Sequence, residues 1–230
     1  MPSSTASPRL LVTAGPTREP IDSVRYLSNR SSGRMGIALA AAARSMGWDT
    51  TLLLGPVTAT IPPELEPIRF ETTDELAALL ASHWPGHDLL IMAAAVCDHR
   101  PAERSAGKLH RDGPYSLLLE PTEDLLAGLD PTTRPEQVRV GFALEPLETM
   151  EASARTKLER KHLDAIVANP LETMDSETVD GVLIDGSGST AAPPRSTKDD
   201  FAGWLLAELA KRYSPGMVET MPVQGLDADA

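Results

Sequence analysis

The chain holds a single cysteine, Cys97, so no disulfide can form within it and a reducing compartment is expected. Aromatic residues are scarce at 4%, while alanine and leucine abound, a composition that suits helices packed on a sheet. No apolar run approaches the ~18 residues that a membrane-spanning helix needs. The opening stretch, MPSSTASPRL, lacks the apolar core of a secretory signal. Cytoplasmic residence, with no membrane partner, is therefore the expectation. Basic residues are outnumbered, 21 against 33 acidic, for a formal net charge of -12. That balance argues against a nucleic-acid partner, because a backbone of phosphates would be repelled. It still permits a local basic pocket for a small anion.

Several motifs are also missing. No GxGxxG follows the first apolar run, so the ordinary dinucleotide fingerprint is absent, and no GxxxxGK[ST] marks a P-loop. No GxSxG elbow occurs. The five histidines do not pair with cysteine at zinc spacing, and His83 and His87, four apart, have a proline and a glycine between them. The sequence assigns no metal ligand.

What is present centres on residues 10 to 36. A short apolar run ends in Ala14-Gly15-Pro16, a long polar loop carries Arg18, Asp22, Arg25 and Asn29, and Ser31-Ser32-Gly33 leads into a helical pattern. Strand, loop and helix N-terminus is the arrangement with which open α/β sheets hold phosphorylated ligands. Arg9 to Ala14 is predicted as a buried strand. A helix with Met35, Leu39, Ala42, Ala43 and Met46 on its apolar face follows, capped by Ser31 or Ser32 and stopped by Gly47. Further strands are predicted at 50–54, 68–71, 89–95, 116–119, 138–143, 165–168 and 182–184. Helices are predicted over a segment capped by Thr73, and at 124–129, 149–163 and 197–213, the last with Phe201, Leu205, Leu206 and Leu209 on one face. Strands alternate with helices, so the fold class is α/β, a Rossmann-like three-layer sandwich with a largely parallel central sheet. The polar stretch 98–114 has no periodicity and reads as a mobile loop within a protruding flap near 99–120. Residues 1–8 and the acidic tail 214–230 are expected to be disordered, leaving one domain over 9–213.

Three further places could carry chemistry. Met92, Ala93 and Ala94 lie at the end of a fully apolar strand, where small residues let a ligand approach the backbone, and Asp98 at the strand exit could accept from a ribose or a base. Cys97 reads most simply as a small buried residue. Lys108 sits in a glycine-bearing loop suited to closing over a polyphosphate. Lys157 and Lys161 lie four apart on one helix face, with Arg155 and Arg160 beside them, and suggest an anion site, although Glu148, Glu151 and Glu159 could pair with them.

Taken together, the segments TAGPTREPID, VRYLSNRSSGRMG, MAAAVCDHRPAE, GFALE and KLERKHLDAIVAN resemble the bacterial phosphopantothenate–cysteine ligase family (phosphopantothenoylcysteine synthetase) over nearly the whole chain, from about 9 to 213. In many bacteria that family forms the C-terminal half of a bifunctional coenzyme A biosynthesis flavoprotein. The resemblance implies a CTP-dependent, Mg²⁺-requiring reaction in which 4'-phosphopantothenate is activated as an acyl-cytidylate and cysteine then displaces CMP. It implies catalytic or substrate-binding roles for Asn29, Arg25 and Lys108, with Ser31, Ser32 and Gly33 on the substrate. It places Gly15, Met92, Ala93, Ala94, Asp98, Lys108, Phe142, Lys157 and Lys161 at the nucleotide, and Glu123, Asp124, Leu125 and Leu126 at a further nucleotide-contacting turn. It also implies a homodimer and a separate phosphopantothenoylcysteine decarboxylase as pathway partner. The chain departs from the family's pattern at Cys97, at Leu144 and at Lys108-Leu109-His110-Arg111, where the family reads Lys-Ile-Lys-Lys. An NAD(P)-binding reductase and a non-catalytic nucleotide-binding module remain the rival readings.

Overall fold

A computed structural model describes residues 7–173 and 176–213. Most of the two terminal stretches expected to be disordered, 1–6 and 214–230, lies outside the described residues.

In chain order the elements are β1 (Arg9–Ala14), β2 (Arg18–Pro20), β3 (Tyr26–Ser28), α1 (Arg34–Ser45), β4 (Asp49–Leu54), β5 (Ile68–Arg69), α2 (Thr73–His83), β6 (Leu89–Met92), β7 (His99–Pro101), β8 (Leu119–Pro121), α3 (Leu125–Gly128), β9 (Val138–Glu145), α4 (Met150–Arg160), β10 (Ala165–Pro170), β11 (Thr178–Val179), β12 (Val182–Asp185), β13 (Thr190–Ala191), β14 (Ser196–Thr197) and α5 (Lys198–Tyr213). The main sheet runs β13-β12-β10-β9-β6-β1-β4-β5. Its pairings from β5 to β10 are parallel, and β12 and β13 are antiparallel at one edge. The protein is thus an α/β sandwich with a mostly parallel sheet between helices.

The alternation of side chains along each strand explains the three layers. Leu10, Val12 and Ala14 of β1 belong to one core with Ile37 and Leu39 of α1 and Phe201 and Leu205 of α5. Leu11, between them, belongs to the other core with Leu76 and Leu80 of α2, Leu126 of α3 and Leu158 of α4. β4, β6 and β10 divide in the same way. A strand with both faces covered reads as a continuous apolar run, which is why these segments carry no polar alternation.

Strand order reverses at β1: the chain builds β4 and β5 on one side, then crosses to β6 on the other. Such a switch point opens a crevice at the carboxyl ends of the strands. Gly36 seats α1 over that end. A Cβ on Gly36 would stand 2.4 Å from the Ala14 Cβ, so only glycine lets the helix start lie against β1.

The structure corrects several local expectations. The N-cap of α1 is Gly33, in the left-handed region at φ 75°, and neither Ser31 nor Ser32 caps it. Thr72 rather than Thr73 caps α2, through a reciprocal box with Glu75, while Thr73 is buried against Glu19. The strand expected at 89–95 ends at Met92, although the Ala93 and Ala95 N–H groups still donate to the Thr13 and Gly15 carbonyls and Ala95 forms an isolated parallel bridge with Pro16. The strand expected at 116–119 is displaced to Leu119–Pro121, where it pairs with His99–Pro101 to form the base of the flap. The long first loop is a hairpin of β2 and β3. Its Asp22 fixes the stretch expected to be a free loop, accepting from the Leu109 N–H at 3.1 Å, and the Ile21 carbonyl accepts from the Ser105 N–H at 3.0 Å.

Candidate functional site

The crevice holds a cleft of about 830 Å³. Its floor is the exit of β6, from Met92 to Val96. Thr13 shapes that floor from below: its Oγ1 accepts from the Ala94 N–H at 3.1 Å and donates to the Met92 sulfur at 3.3 Å. Three alanines in succession keep the backbone open to a ligand.

One wall is the start of α1. Its first turn has neither a side-chain cap nor an acidic residue, so its free N–H groups and positive partial charge have no partner within the helix. Ser31, Ser32 and Gly33 line the cleft here. A side chain at Gly33 would need the left-handed conformation and would meet Val57 at 2.6 Å.

The opposite wall is basic. Lys157 of α4 and Lys161, the residue that caps its C-terminus, both line the cleft, with Arg160. Of the helix acids that the sequence suggested as counter-charges, Glu151 pairs with Arg155 at 4.0 Å, but the three cleft residues are held by others. Lys157 pairs with Glu145 at 2.5 Å, and Lys161 with Asp124 at 3.0 Å, Arg160 lying 3.9 Å from the same carboxylate. Asp124 also caps α3, accepting from the Ala127 N–H, and with Glu123, Leu125 and Leu126 forms the cleft's third side. Phe142 supplies an aromatic edge from β9, and Asp98 lines the mouth.

Asn29 also lines the cleft, yet its amide nitrogen is engaged: it donates to the carbonyls of Ala95 and Val96, each at 3.0 Å. The side chain thereby ties the first loop to the floor. Cys97, behind it, is buried, and burial pushes its thiol pKa up, as suits a packing residue rather than a nucleophile.

Three expected site residues do not line the cleft. Gly15 lies beneath it, its carbonyl accepting from the Ala95 N–H at 2.9 Å. Arg25 is held by Asp22 at 3.2 Å and by the Leu109 carbonyl at 2.9 Å. Lys108, next to Leu109, is exposed on the flap. Conversely, Asn169, Thr173 and Lys198 line the cleft and were not singled out. Asn169 is buried at the carboxyl end of β10, and its Oδ1 has no hydrogen-bond partner among the described residues. A polar residue ending an apolar parallel strand was the available signal, the one already applied to Asp98. Among the described residues, no helix is long and apolar enough to cross a membrane, and no cluster of three or more His, Cys, Asp or Glu could hold a metal ion.

The sequence model of the family described as "DNA/pantothenate metabolism flavoprotein C-terminal domain" matches residues 5–213. A cysteine/cysteine sulfinic acid decarboxylase of an unidentified prokaryote is 39% identical over 87% of this chain and 57% of its own length. The coenzyme A biosynthesis bifunctional protein CoaBC of Mycobacterium bovis is 36% identical over 90% of this chain and 53% of its own. The chain therefore spans about half the length of the curated relatives it matches. The crystal structure of the C-terminal domain of a CoaBC protein superposes with a TM-score of 0.76 at 31% identity, covering 93% of this chain and 97% of that one.

These findings correct the expectation of a CTP-dependent ligase. The matched family is described by a flavoprotein, and the relatives by a bifunctional protein and a decarboxylase. The ligase reaction, its joining of 4'-phosphopantothenate to cysteine, its CTP and Mg²⁺, and its homodimer go with that expectation. So does the separate decarboxylase as partner, since the CoaBC relatives are bifunctional chains. A flavin, which the family's description brings in, fits this cleft only in its phosphate. Beyond the α1 N-terminus and the lysines the lining mixes apolar residues, Met92 to Val96, Leu125, Leu126 and Leu144, with Asp98, Glu123, Asp124 and Asn169, and Phe142 is its one aromatic residue among those described. Among the described lining residues no second aromatic is present to sandwich a tricyclic ring with Phe142. The chain belongs to the DNA/pantothenate metabolism flavoprotein C-terminal domain family.

Proposed function

We propose that the chain is a nucleotide-phosphate-binding domain of coenzyme A biosynthesis, residing in the cytoplasm, whose cleft takes a phosphopantothenoyl compound. The observation that carries this reading is the uncapped start of α1 facing Lys157 and Lys161 across a floor of alanines. Helix N–H groups and two ammonium groups converging on one space are suited to a phosphate, which gains charge-assisted hydrogen bonds from both sides. Family membership supplies the pantothenate chemistry. In this reading Ser31, Ser32 and Gly33 hold the phosphate, Met92 to Ala94 admit the body of the ligand, and Asp98 and Asn169 accept from its N–H and O–H groups. Asn29 keeps the floor in place. Arg25 and Lys108 act from the flap, through its attachment at Asp22.

Calorimetric titration with phosphopantothenoylcysteine, its dephosphorylated form, a mononucleotide and FMN tests the proposal. The phosphorylated compounds should bind and the dephosphorylated form should not. Lys161→Met should weaken binding by about tenfold, the value of one charge-assisted contact. Equal binding with and without the phosphate would overturn the reading. Stoichiometric uptake of FMN with release of carbon dioxide from phosphopantothenoylcysteine would replace it with the flavin-dependent decarboxylase reading.

A further inference from the structure

The third side of the cleft and Lys161 belong to two elements outside the sheet, the turn that starts α3 and the end of α4. These elements are fastened to each other twice. At the cleft face the Lys161 ammonium meets Asp124 at 3.0 Å, and that carboxylate is 41% exposed, so a bound anion can compete for the lysine. The second fastening lies beneath. Arg139, near the start of β9, has a side chain only 3% exposed. Its guanidinium donates to the Leu126 carbonyl at 3.3 Å, to the His162 carbonyl at 2.7 Å and to the Asp130 carboxylate at 2.5 Å. Releasing any of these would leave a charge or a carbonyl unpaired in a poorly solvated place, so the lower fastening does not exchange with a ligand.

His162 completes the set. α4 ends in a Schellman turn, in which the His162 N–H donates to the Glu159 carbonyl and the Leu163 N–H to the Leu158 carbonyl. The left-handed position of that turn, at φ 50°, favours glycine, and His162 is the one residue other than glycine with positive φ among those described. The imidazole held there lies with Nδ1 2.9 Å from the second oxygen of Asp130. Asp130 is thus gripped from β9 and from the end of α4 at once.

From this we infer that Arg139, backed by Asp130 and His162, is a positioning residue for the cleft. It sets the spacing between the α3 turn and Lys161, and it keeps that spacing when a ligand draws Lys161 away from Asp124. The inference rests on the proposed reading of the cleft as a phosphate site.

The test titrates inorganic pyrophosphate into the wild-type chain and into Arg139→Lys, Asp130→Ala and Lys161→Met. The first two are also combined with Lys161→Met, and folding is checked by denaturant midpoint. Arg139→Lys keeps the charge, but a compact ammonium cannot serve the three acceptors that the planar guanidinium spans. It should weaken binding by about tenfold, as much as the loss of one charge-assisted contact. Lys161→Met should then cost about twofold or less in that background, because the lysine is already out of place. Asp130→Ala, at a site 40% exposed, removes a negative charge, so electrostatics alone would tighten an anion. The clamp predicts the opposite sign, a loss of about threefold. Wild-type binding by a folded Arg139→Lys chain, or losses from Arg139→Lys and Lys161→Met that simply multiply, would overturn the inference and leave the phosphate site standing. Should Arg139→Lys not fold, Asp130→Ala decides: unchanged or tighter binding overturns the inference. A folded wild-type chain that binds no pyrophosphate would overturn the phosphate site itself and this inference with it.

Discussion

Replacing Asn29 by aspartate tests whether that side chain holds the cleft floor. In the native protein the amide nitrogen spans the Ala95 and Val96 carbonyls at 3.0 Å each. Only the nitrogen of the amide can donate to two carbonyls, so the orientation of the group is settled by its partners. Alanine at 29 would forfeit two bonds, each worth about 0.5–1.5 kcal/mol net, toward the lower end here because the site is open to water. Aspartate would forfeit them too and would set an anionic oxygen against two carbonyl oxygens. A loss of about 2–3 kcal/mol is expected at neutral pH, more than for alanine. For a chain of this size each kcal/mol lowers the midpoint by roughly 2–4 °C. Acid should narrow the gap, since a protonated carboxyl can donate to one of the carbonyls again. Thermal unfolding of both variants from neutral to acid pH is the assay. An aspartate variant as stable as the alanine variant at neutral pH would refute the reasoning, and one as stable as wild type would remove the tether altogether.

The flap offers a pH test. Burial alone would raise the Asp22 carboxyl pKa, but the backbone N–H groups of Leu109, Val24 and Arg25 and the Arg25 charge hold it below the ordinary carboxylate value. A carboxyl whose pKa is depressed by folding stabilises the protein above its unfolded value and loses that contribution as pH falls through the folded one. The Leu109 amide should therefore keep its hydrogen-exchange protection at neutral pH and lose it in acid, and Asp22→Asn should remove the dependence; protection indifferent to pH would count against the clamp. Tyr213 gives the opposite sign. Burial, then Asp164 and Asp185, push its phenol pKa up to about 12. Stability from this group is present below its unfolded value and is lost as pH rises toward 12, so ultraviolet titration should show one phenol ionising together with alkaline unfolding. In Tyr213→Phe that coupling should vanish, leaving the Asp164 carbonyl without the phenol's hydrogen bond.

Much of the fold was legible along the chain because burial on both faces makes parallel strands plain apolar runs, and helix faces repeat at their own period. β1, α1, β4, α4 and α5 lie close to where those patterns predict them. Positions set by pairing were less legible. The flap hairpin shifted by a few residues, since its register is decided by the partner strand and not by its own composition. For the site, Ser31 to Gly33 were readable at a helix start, Met92 to Ala94 and Asp98 at a strand end, and Lys157 and Lys161 as a basic helix face, and all of them line one cleft. The resemblance that supplied a reaction, a nucleotide and a metal was corrected by the family the chain matches.

By itself, the sequence determined the alternation of strand and helix, the sidedness of each helix and the absence of a disulfide framework, because these follow from local period and composition. Only the tertiary structure decided which charges meet. Glu145 and Lys157 are twelve positions apart, Asp124 and Lys161 thirty-seven, and Asn29 reaches Ala95 across sixty-six. Pairings of that kind depend on strand order, which brings the ends of β6, β9 and β10 to one side of the switch point. No local pattern encodes that proximity.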